Sequence, residues 1–472
     1  MPTALFSDTP GNNRIQAALE TMETSGLVSL AQTLPELEYM FRHALVQETA
    51  YDSLLKSERS QLHRAIGQVL EEAFPGQHPE LAAVIARHYD LAGEAGKAVT
   101  YYLTAGEAAL SAFAHAEAMA LMGRAEALAR THAWRQQQVR CLIGLGRACD
   151  ASGLTDTGLA YLNLALSLED DPQVCADIYH HITLIYRIHQ SDFAQAVACS
   201  EQALAALGQQ ENVATARALI DLSHDLSMMD PDTRRPLELL ERARGILETL
   251  DAPADLAWCY ANLAAIQALD QPRLGIEYGQ RAVELRHQLG VMRAAVMAYS
   301  AIGNGYSMLG DFDQALVMYQ ASLEEARHIG HSPLTGIVLI NLVIAYLQMG
   351  QLNEALAACL EARQLAQQTS NEQRLATIEI YLAAIQTALG QRRADPWAPA
   401  RRLSELAGRG LAYYELAGAL ALTGARKGAL RALRRAAARP AFPGLSQARV
   451  EPAFASLQAD PEFLQILDEH SA

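Results

Sequence analysis

The sequence predicts an all-α, right-handed solenoid of roughly nine stacked helical hairpins, preceded by a small N-terminal domain. Three observations predict it. Aromatic, aliphatic, glycine and alanine residues recur in a fixed order about every forty residues. Within each copy the apolar positions fall three and four apart, which is the period of one buried helical stripe. Glycines at 310, 350 and 390 stand at the same point of three successive copies.

The 472 residues are half hydrophobic and 19% charged, the composition of a folded globular chain long enough for about three domains. A formal charge of −16 sets the molecule as a whole against nucleic acid and anionic membranes. Six cysteines (141, 149, 175, 199, 259, 359) form no CxxC pair and read as small core residues of a reducing compartment. Residues 1–14 lack the basic start and apolar run of a signal peptide. The most apolar stretch, Gly336–Gly350, is too short for a membrane span and contains Asn341 and Gln348. A cytoplasmic protein is expected.

Taken in order, Ile15–Ser25 reads as a short helix. Leu27–Ala31 and Leu37–Arg42 are β-like runs about a turn at Leu34–Pro35, and Ala44–Leu55 and Glu58–Phe74 read as two further helices. The first repeat copy is Ile85, Ala86, Tyr89, Gly93, Ala98, Tyr102 and Ala105. Leu142, Leu145, Gly146, Gly153, Gly158, Leu162 and Ala165 follow. Tyr179, Tyr186, Phe193, Ala196 and Ala203 fit with one extra turn residue. Leu219, Leu222, Leu240 and Ala243 fit weakly, as do Tyr260, Leu263, Ala264 and Ala282. The fullest copy is Tyr299, Ile302, Gly303, Tyr306, Gly310, Phe312, Ala315 and Tyr319. It recurs at Leu339, Leu342, Tyr346, Gly350, Leu352, Ala355 and Ala362, then at Leu382 and Gly390. The last copy is Tyr413, Leu416, Gly424, Ala429, Leu433 and Ala436. The glycine at the end of each first helix can take the left-handed conformation that stops it. Small residues such as Gly303, Ala315 and Ala355 let helices approach closely. A single hairpin cannot bury its stripe alone, so hairpins must stack.

This pattern resembles the tetratricopeptide repeat over residues 79–440, in the longer-helix variant found in bacterial signalling proteins. The resemblance implies that first helices line a concave wall. Ser300, Asn304 and Ser307 of one repeat, with Ile340, Ile344 and Leu347 of the next, are then expected to face a partner there. Three aliphatics at helical spacing on an open wall form a binding patch; a tight superhelix, or the chain's own N-terminal domain, would instead cover them. Upstream, the run Tyr39–Leu55 resembles the degenerate winged-helix segment that follows the ATPase core of bacterial STAND-type signalling ATPases. Its Phe41-Arg42-His43-Ala44-Leu45-Val46-Gln47-Glu48, Ala50-Tyr51 and Leu54-Leu55 carry the likeness. Asp460-Pro461-Glu462-Phe463 with Leu467 resembles the closing phrase of such tails. The family is commonly fused to class III nucleotide cyclases, kinases or transcriptional output domains. The expected organisation is 1–75 winged-helix-like, 76–440 repeats and 441–472 a capping segment.

The chemical machinery of an enzyme is not legible. No GxxxxGK[ST] run occurs, and Gly96-Lys97 precedes Ala98. Gly303-Asn304-Gly305 follows no strand and sits inside a repeat helix, so packing explains it better than a phosphate loop. His180, His181, His189, His328 and His331 lack zinc-ligand spacing, and Glu169-Asp170-Asp171 falls where a solvated turn belongs. The first helix carries Glu20 and Glu23 near one Arg14, which disfavours DNA binding. No catalytic residue, metal or cofactor is expected.

Charge is segregated, however. Residues 391–450 hold 12 Arg or Lys against three acids, a net of +9 that leaves −25 for the rest of the chain. Lys427, Arg431, Arg434 and Arg435 share one helix face. They either dock an acidic partner or form the polar cap that a solenoid end requires. The expectation is a non-enzymatic sensor or protein-interaction module, with a protein or peptide in the groove and an ATPase or cyclase module in cis or trans. The alternative is a free-standing repeat scaffold.

Overall fold

The computed structural model describes residues 10–32, 38–73, 79–190, 192–229, 232–289, 292–330, 332–368, 371–391, 395–406, 409–438, 445 and 448–469. The chain divides into two compact units, Met1–Ala105 and Gly106–Ala472.

The first unit opens with α1 (Pro10–Thr24), then β1 (Val28–Gln32) and β2 (Glu38–Phe41). The strands pair antiparallel, Val28 opposite Phe41 and Leu30 opposite Tyr39, with an irregularity between Leu30 and Gln32. The helices α2 (Ala44–Ser53), α3 (Lys56–Ala73), α4 (Pro79–Ala92) and α5 (Ala95–Ser111) follow. These elements match the expected ones closely; the turn at Leu34–Pro35 and Phe74 lie outside the described residues. The boundary expected near 75 also falls there, and the compact unit continues to Ala105. Polar contacts show what ties α4 and α5 to α3. Ser60 Oγ donates to the Ala92 carbonyl (2.8 Å), and Glu71 accepts from Lys97 Nζ (2.7 Å), Tyr101 (2.8 Å) and Tyr89.

In the second unit α6 (His115–Thr131) precedes a regular series of hairpins. These are α7 (Arg135–Ala151) with α8 (Thr155–Leu168), α9 (Pro172–Ile185) with α10 (Phe193–Leu207), and α11 (Val213–Met229) with α12 (Arg234–Thr249). Next come α13 (Pro253–Asp270) with α14 (Pro272–Leu289), α15 (Met292–Met308) with α16 (Phe312–His328), and α17 (Ser332–Gln348) with α18 (Leu352–Gln368). The last are α19 (Glu372–Ala388) with α20 (Trp397–Leu406) and α21 (Arg409–Leu422) with α22 (Arg426–Ala437). A 3-10 turn at Pro452–Leu457 and α23 (Pro461–Asp468) close the array. No helix among the described residues is long and apolar enough to cross a membrane.

The repeated glycines act at the turns. Gly310, Gly350 and Gly390 have φ of 77°, 71° and 67°. At Gly350 the amide donates to the Leu347 carbonyl (3.1 Å) and the next amide to Tyr346 (2.8 Å), the paired bonds that terminate a helix with a left-handed residue. Phe113 and Ala133 make the same paired bonds without being glycine, at φ 59° and 56°. Inside the hairpins, a Cβ on Gly303 would lie 2.7 Å from the Tyr319 ring, so the glycine is what admits that ring. Ala315 and Ala355 are fully buried. Five of the six cysteines are buried and Cys175 is half-buried. Burial pushes the Cys259 and Cys359 thiols up to about 12, and they donate to the carbonyls of Leu240 and Ile378.

The extra residue noted between Tyr186 and Phe193 has a structural counterpart. Tyr186–Gln190 forms a π-helical turn that extends α9 by five residues. A π turn is how a helix absorbs one inserted residue without losing register. Asp192 then caps α10 as Asp311 caps α16, accepting from the amides of Gln195 (3.1 Å) and Gln314 (3.2 Å).

Candidate partner-binding site

Consecutive first helices of the hairpins touch one another: α7 with α9, α9 with α11, α11 with α13, α13 with α15, and α15 with α17. They therefore form a continuous inner layer whose side chains differ sharply along its length.

On α9–α13 the inner layer is polar. Arg187, on the π turn, is buried and grips two carboxylates of α11. Its Nε and Nη2 donate to Asp225 (2.6 and 2.9 Å), and Nη2 also reaches Asp221 Oδ1 (3.1 Å). His180 Nδ1 donates to the other oxygen of Asp221. Burial opposes ionisation of Asp221, but His180 and Arg187 outweigh it and hold the carboxyl down at about 2. Asp225 moves the other way, raised by burial. Beside them His224 Nδ1 pairs with Asn262 Oδ1 (3.0 Å), and burial, then the Arg187 charge, lowers its pKa to about 3. Arg217 bridges Asp177 (3.1 Å) on α9 and Asp255 on α13. None of these residues was singled out from sequence as a binding group. The available signal was Asp221 and Asp225, four apart on one helix.

On α15 and α17 lie the six residues expected to face a partner. Ser300 and Asn304 are half-buried. Ser300 pairs with Ser322 (2.9 Å), and Asn304 accepts from the Tyr319 hydroxyl (2.6 Å), so both are engaged with the second helix of their own hairpin. Ile340 and Ile344 are half-buried and pack beside Ile337 against the main core. Ser307 and Leu347 depart from the expectation of an open wall: their exposures are 7% and 3%. Ser307 donates to Gln348 Oε1 (3.0 Å) across neighbouring first helices, and Leu347 is drawn into the apolar core.

A distant segment of the chain also reaches α17. The π turn touches α17, and Leu184 and Ile188 belong to one core cluster with Val338, Leu342 and Ile380. Arg374 Nη2 of α19 donates to the Ile188 carbonyl (2.8 Å), across 186 residues of sequence. Burial pushes the Arg374 guanidinium down to about 10. A second distant contact sets the Phe113 ring 6.1 Å from that of His328.

The basic face of α22 is exposed but largely engaged. Arg431 and Arg435 lie 4.3 and 5.0 Å from the Trp397 ring centroid. Arg434 pairs with Glu462 of α23 (3.0 Å), and Arg426 with Asp460 and Glu462. Lys427 is exposed. Arg392, Arg393 and Arg439 lie outside the described residues, as does His331. Among the described residues no group of three or more His, Cys, Asp or Glu could hold a metal ion.

Comparison with known proteins agrees with this architecture. Residues 293–368 match the tetratricopeptide repeat family. The fold is a tetratricopeptide-type helical repeat. A Rap protein solved in complex with Competence and Sporulation Factor superposes with a TM-score of 0.56 at 14% identity, covering 75% of this chain and 99% of that one. A STAND signal-transduction ATPase with a tetratricopeptide-repeat sensor from Pyrococcus horikoshii gives 0.46 at 15% identity, over 88% of this chain and 60% of that one. An uncharacterised protein of Rhizobium meliloti is 29% identical over 113 residues, which are 23% of this chain; the match spans only 10% of that relative's length.

Proposed function

We propose that the chain is a non-catalytic sensor or interaction module of a signalling regulator, which holds a protein or peptide partner on the inner wall of its repeats. The observation that carries this reading is the row of half-buried isoleucines, Ile337, Ile340 and Ile344, beside the polar Ser300 and Asn304. Such a row supplies aliphatic contact surface beside polar side chains of the adjoining helix, the chemistry that captures a polypeptide segment. The Rap protein that shares the fold was crystallised with a bound factor, which supports a partner here. A partner that prefers one arrangement of the domains shifts an on/off equilibrium by its differential affinity. On this reading, the exposed aliphatic face of α3 (Leu62, Ile66 and Val69) is the seat for an ATPase or cyclase module in cis or trans.

The test is retention of a partner by the full chain, followed by native mass spectrometry. Ile344→Asp should reduce binding at least about tenfold, because an aspartate cannot be desolvated in an aliphatic contact. Val317→Asp, on an exposed site of α16, should leave it unchanged. Equal binding by both variants and the parent would refute the inner-wall reading.

A further inference from the structure

A repeat array is quasi-one-dimensional: each hairpin rests on its neighbours, and contacts between distant hairpins are additional to what holds the stack together. The contact made by the π turn is of that kind. It joins α9 to α17 and α19, and every hairpin involved keeps its own neighbours whether or not the contact is made. Three features of this segment stand together. It touches α17, the helix that carries the isoleucine row proposed to hold the partner. Its Ile188 carbonyl, at the end of an irregular helix, is taken by a half-buried arginine from another repeat. Its turn lacks the left-handed glycine that closes α15, α17 and α19, and carries one inserted residue instead.

We infer that Tyr186–Gln190 is an internal occupant of the inner wall, and that the partner is an aliphatic-bearing polypeptide segment that displaces it. The displaced seat defines what that segment must present. One or two aliphatic side chains replace Leu184 and Ile188 in the core cluster that they share with α17 and α19, and a backbone carbonyl replaces that of Ile188 on Arg374. Arg187 holds the occupant from the other side through Asp221 and Asp225. Binding and release of the occupant therefore connect the aliphatic wall to the ionic one. The inference rests on the inner-wall reading and adds that the wall is self-occupied. A tethered occupant acts at an effective concentration in the millimolar range, so a free competitor sees a weakened site.

The test uses a fluorescent peptide with the sequence of residues 181–190 as probe, and the full chain in three forms. Fluorescence anisotropy should show the probe binding the Ile188→Ser chain at least about tenfold more tightly than the parent, since the tethered competitor is weakened. A probe that itself carries Ile188→Ser should bind neither. Ile188→Ala provides a milder variant if the serine chain does not fold, with an expected gain of about threefold. Equal affinity for all three chains, or no binding by either opened variant, overturns the inference. The two readings separate cleanly. If Ile344→Asp abolishes partner binding while opening the segment changes nothing, the wall binds but is not self-occupied. If neither substitution matters, both readings fall.

Discussion

The inner layer of the second unit presents two stretches built on one repeat pattern. Along α9–α13 its side chains are Arg187, Asp221, Asp225, His180, His224 and Arg217, joined by ion pairs and hydrogen bonds. Along α17 the row Ile337, Ile340 and Ile344 is aliphatic and packed on the core, beside the uncharged Ser300 and Asn304 of α15. The pattern residues that hold a hairpin together, the alanines and the closely packed glycines, are equally buried in both stretches. Packing positions are thus fixed by helix approach, whereas inner positions are free to carry either chemistry. The two chemistries meet at the π turn, where Arg187 faces the ionic stretch and its neighbour Ile188 faces the aliphatic one.

The largest expected effect tests whether the ionic stretch is structural. Arg187→Met leaves two buried carboxylates without their cation and should destabilise the fold by about 3–5 kcal/mol in chemical denaturation. A loss below about 1 kcal/mol would mean that water reaches these carboxylates and that the two stretches differ less than their burial implies.

The next effect is a difference in pH response between the ionic stretch and the end of the array. His224 is held neutral in the fold, so the unfolded chain binds its proton more readily. Its contribution is present above the ordinary value of 6.5 and declines as pH falls toward about 3. Glu415 behaves oppositely. Burial drives it up to about 7; the hydrogen bond from Tyr381 opposes this and the neighbouring Glu451 adds to it. Its contribution is complete below 4.5 and is lost as pH rises through about 7. Hydrogen exchange should show α11 loosening on acidification and α21 on alkalinisation, on the order of 1 kcal/mol per pH unit at the steepest. His224→Gln should flatten the first response and Glu415→Gln the second. A single response shared by both helices would erase the distinction.

The smallest effects belong to the turns. Ala133→Gly should stabilise by about 1 kcal/mol, because alanine there occupies a left-handed conformation that glycine adopts freely. Gly350→Ala should cost about the same. Thermal melts of the two variants would show opposite shifts.

Much of this architecture was legible in the chain. The forty-residue recurrence located the hairpins because glycine stops and small packing residues have few substitutes. The N-terminal hairpin of strands was readable because its alternation is local. The extra residue after Tyr186 was also visible, but its consequence was not: whether an insertion becomes a bulge, a loop or a π turn depends on Arg374 and α17, far along the sequence. For the same reason Ser307 and Leu347 could be placed on the inner layer but not recognised as buried. Their burial is decided by Gln348 and by the closeness of adjacent first helices. The ionic cluster escaped notice because Arg187 and its two aspartates are more than thirty residues apart and match no spacing rule. The charge excess of residues 391–450 was legible, but its partial neutralisation by Asp460 and Glu462 depends on how α23 docks.

That docking bears on how the array ends. Phe463, Ile466 and Leu467 of α23 are buried, and its acidic start is pinned by Arg426 and Arg434 of α22. A bare final hairpin would offer an aliphatic ledge on which another molecule's hairpin could stack, seeding head-to-tail fibres. Here the ledge is roofed, and its arginines are turned to fastening the roof, so end-on polymerisation must first evict α23.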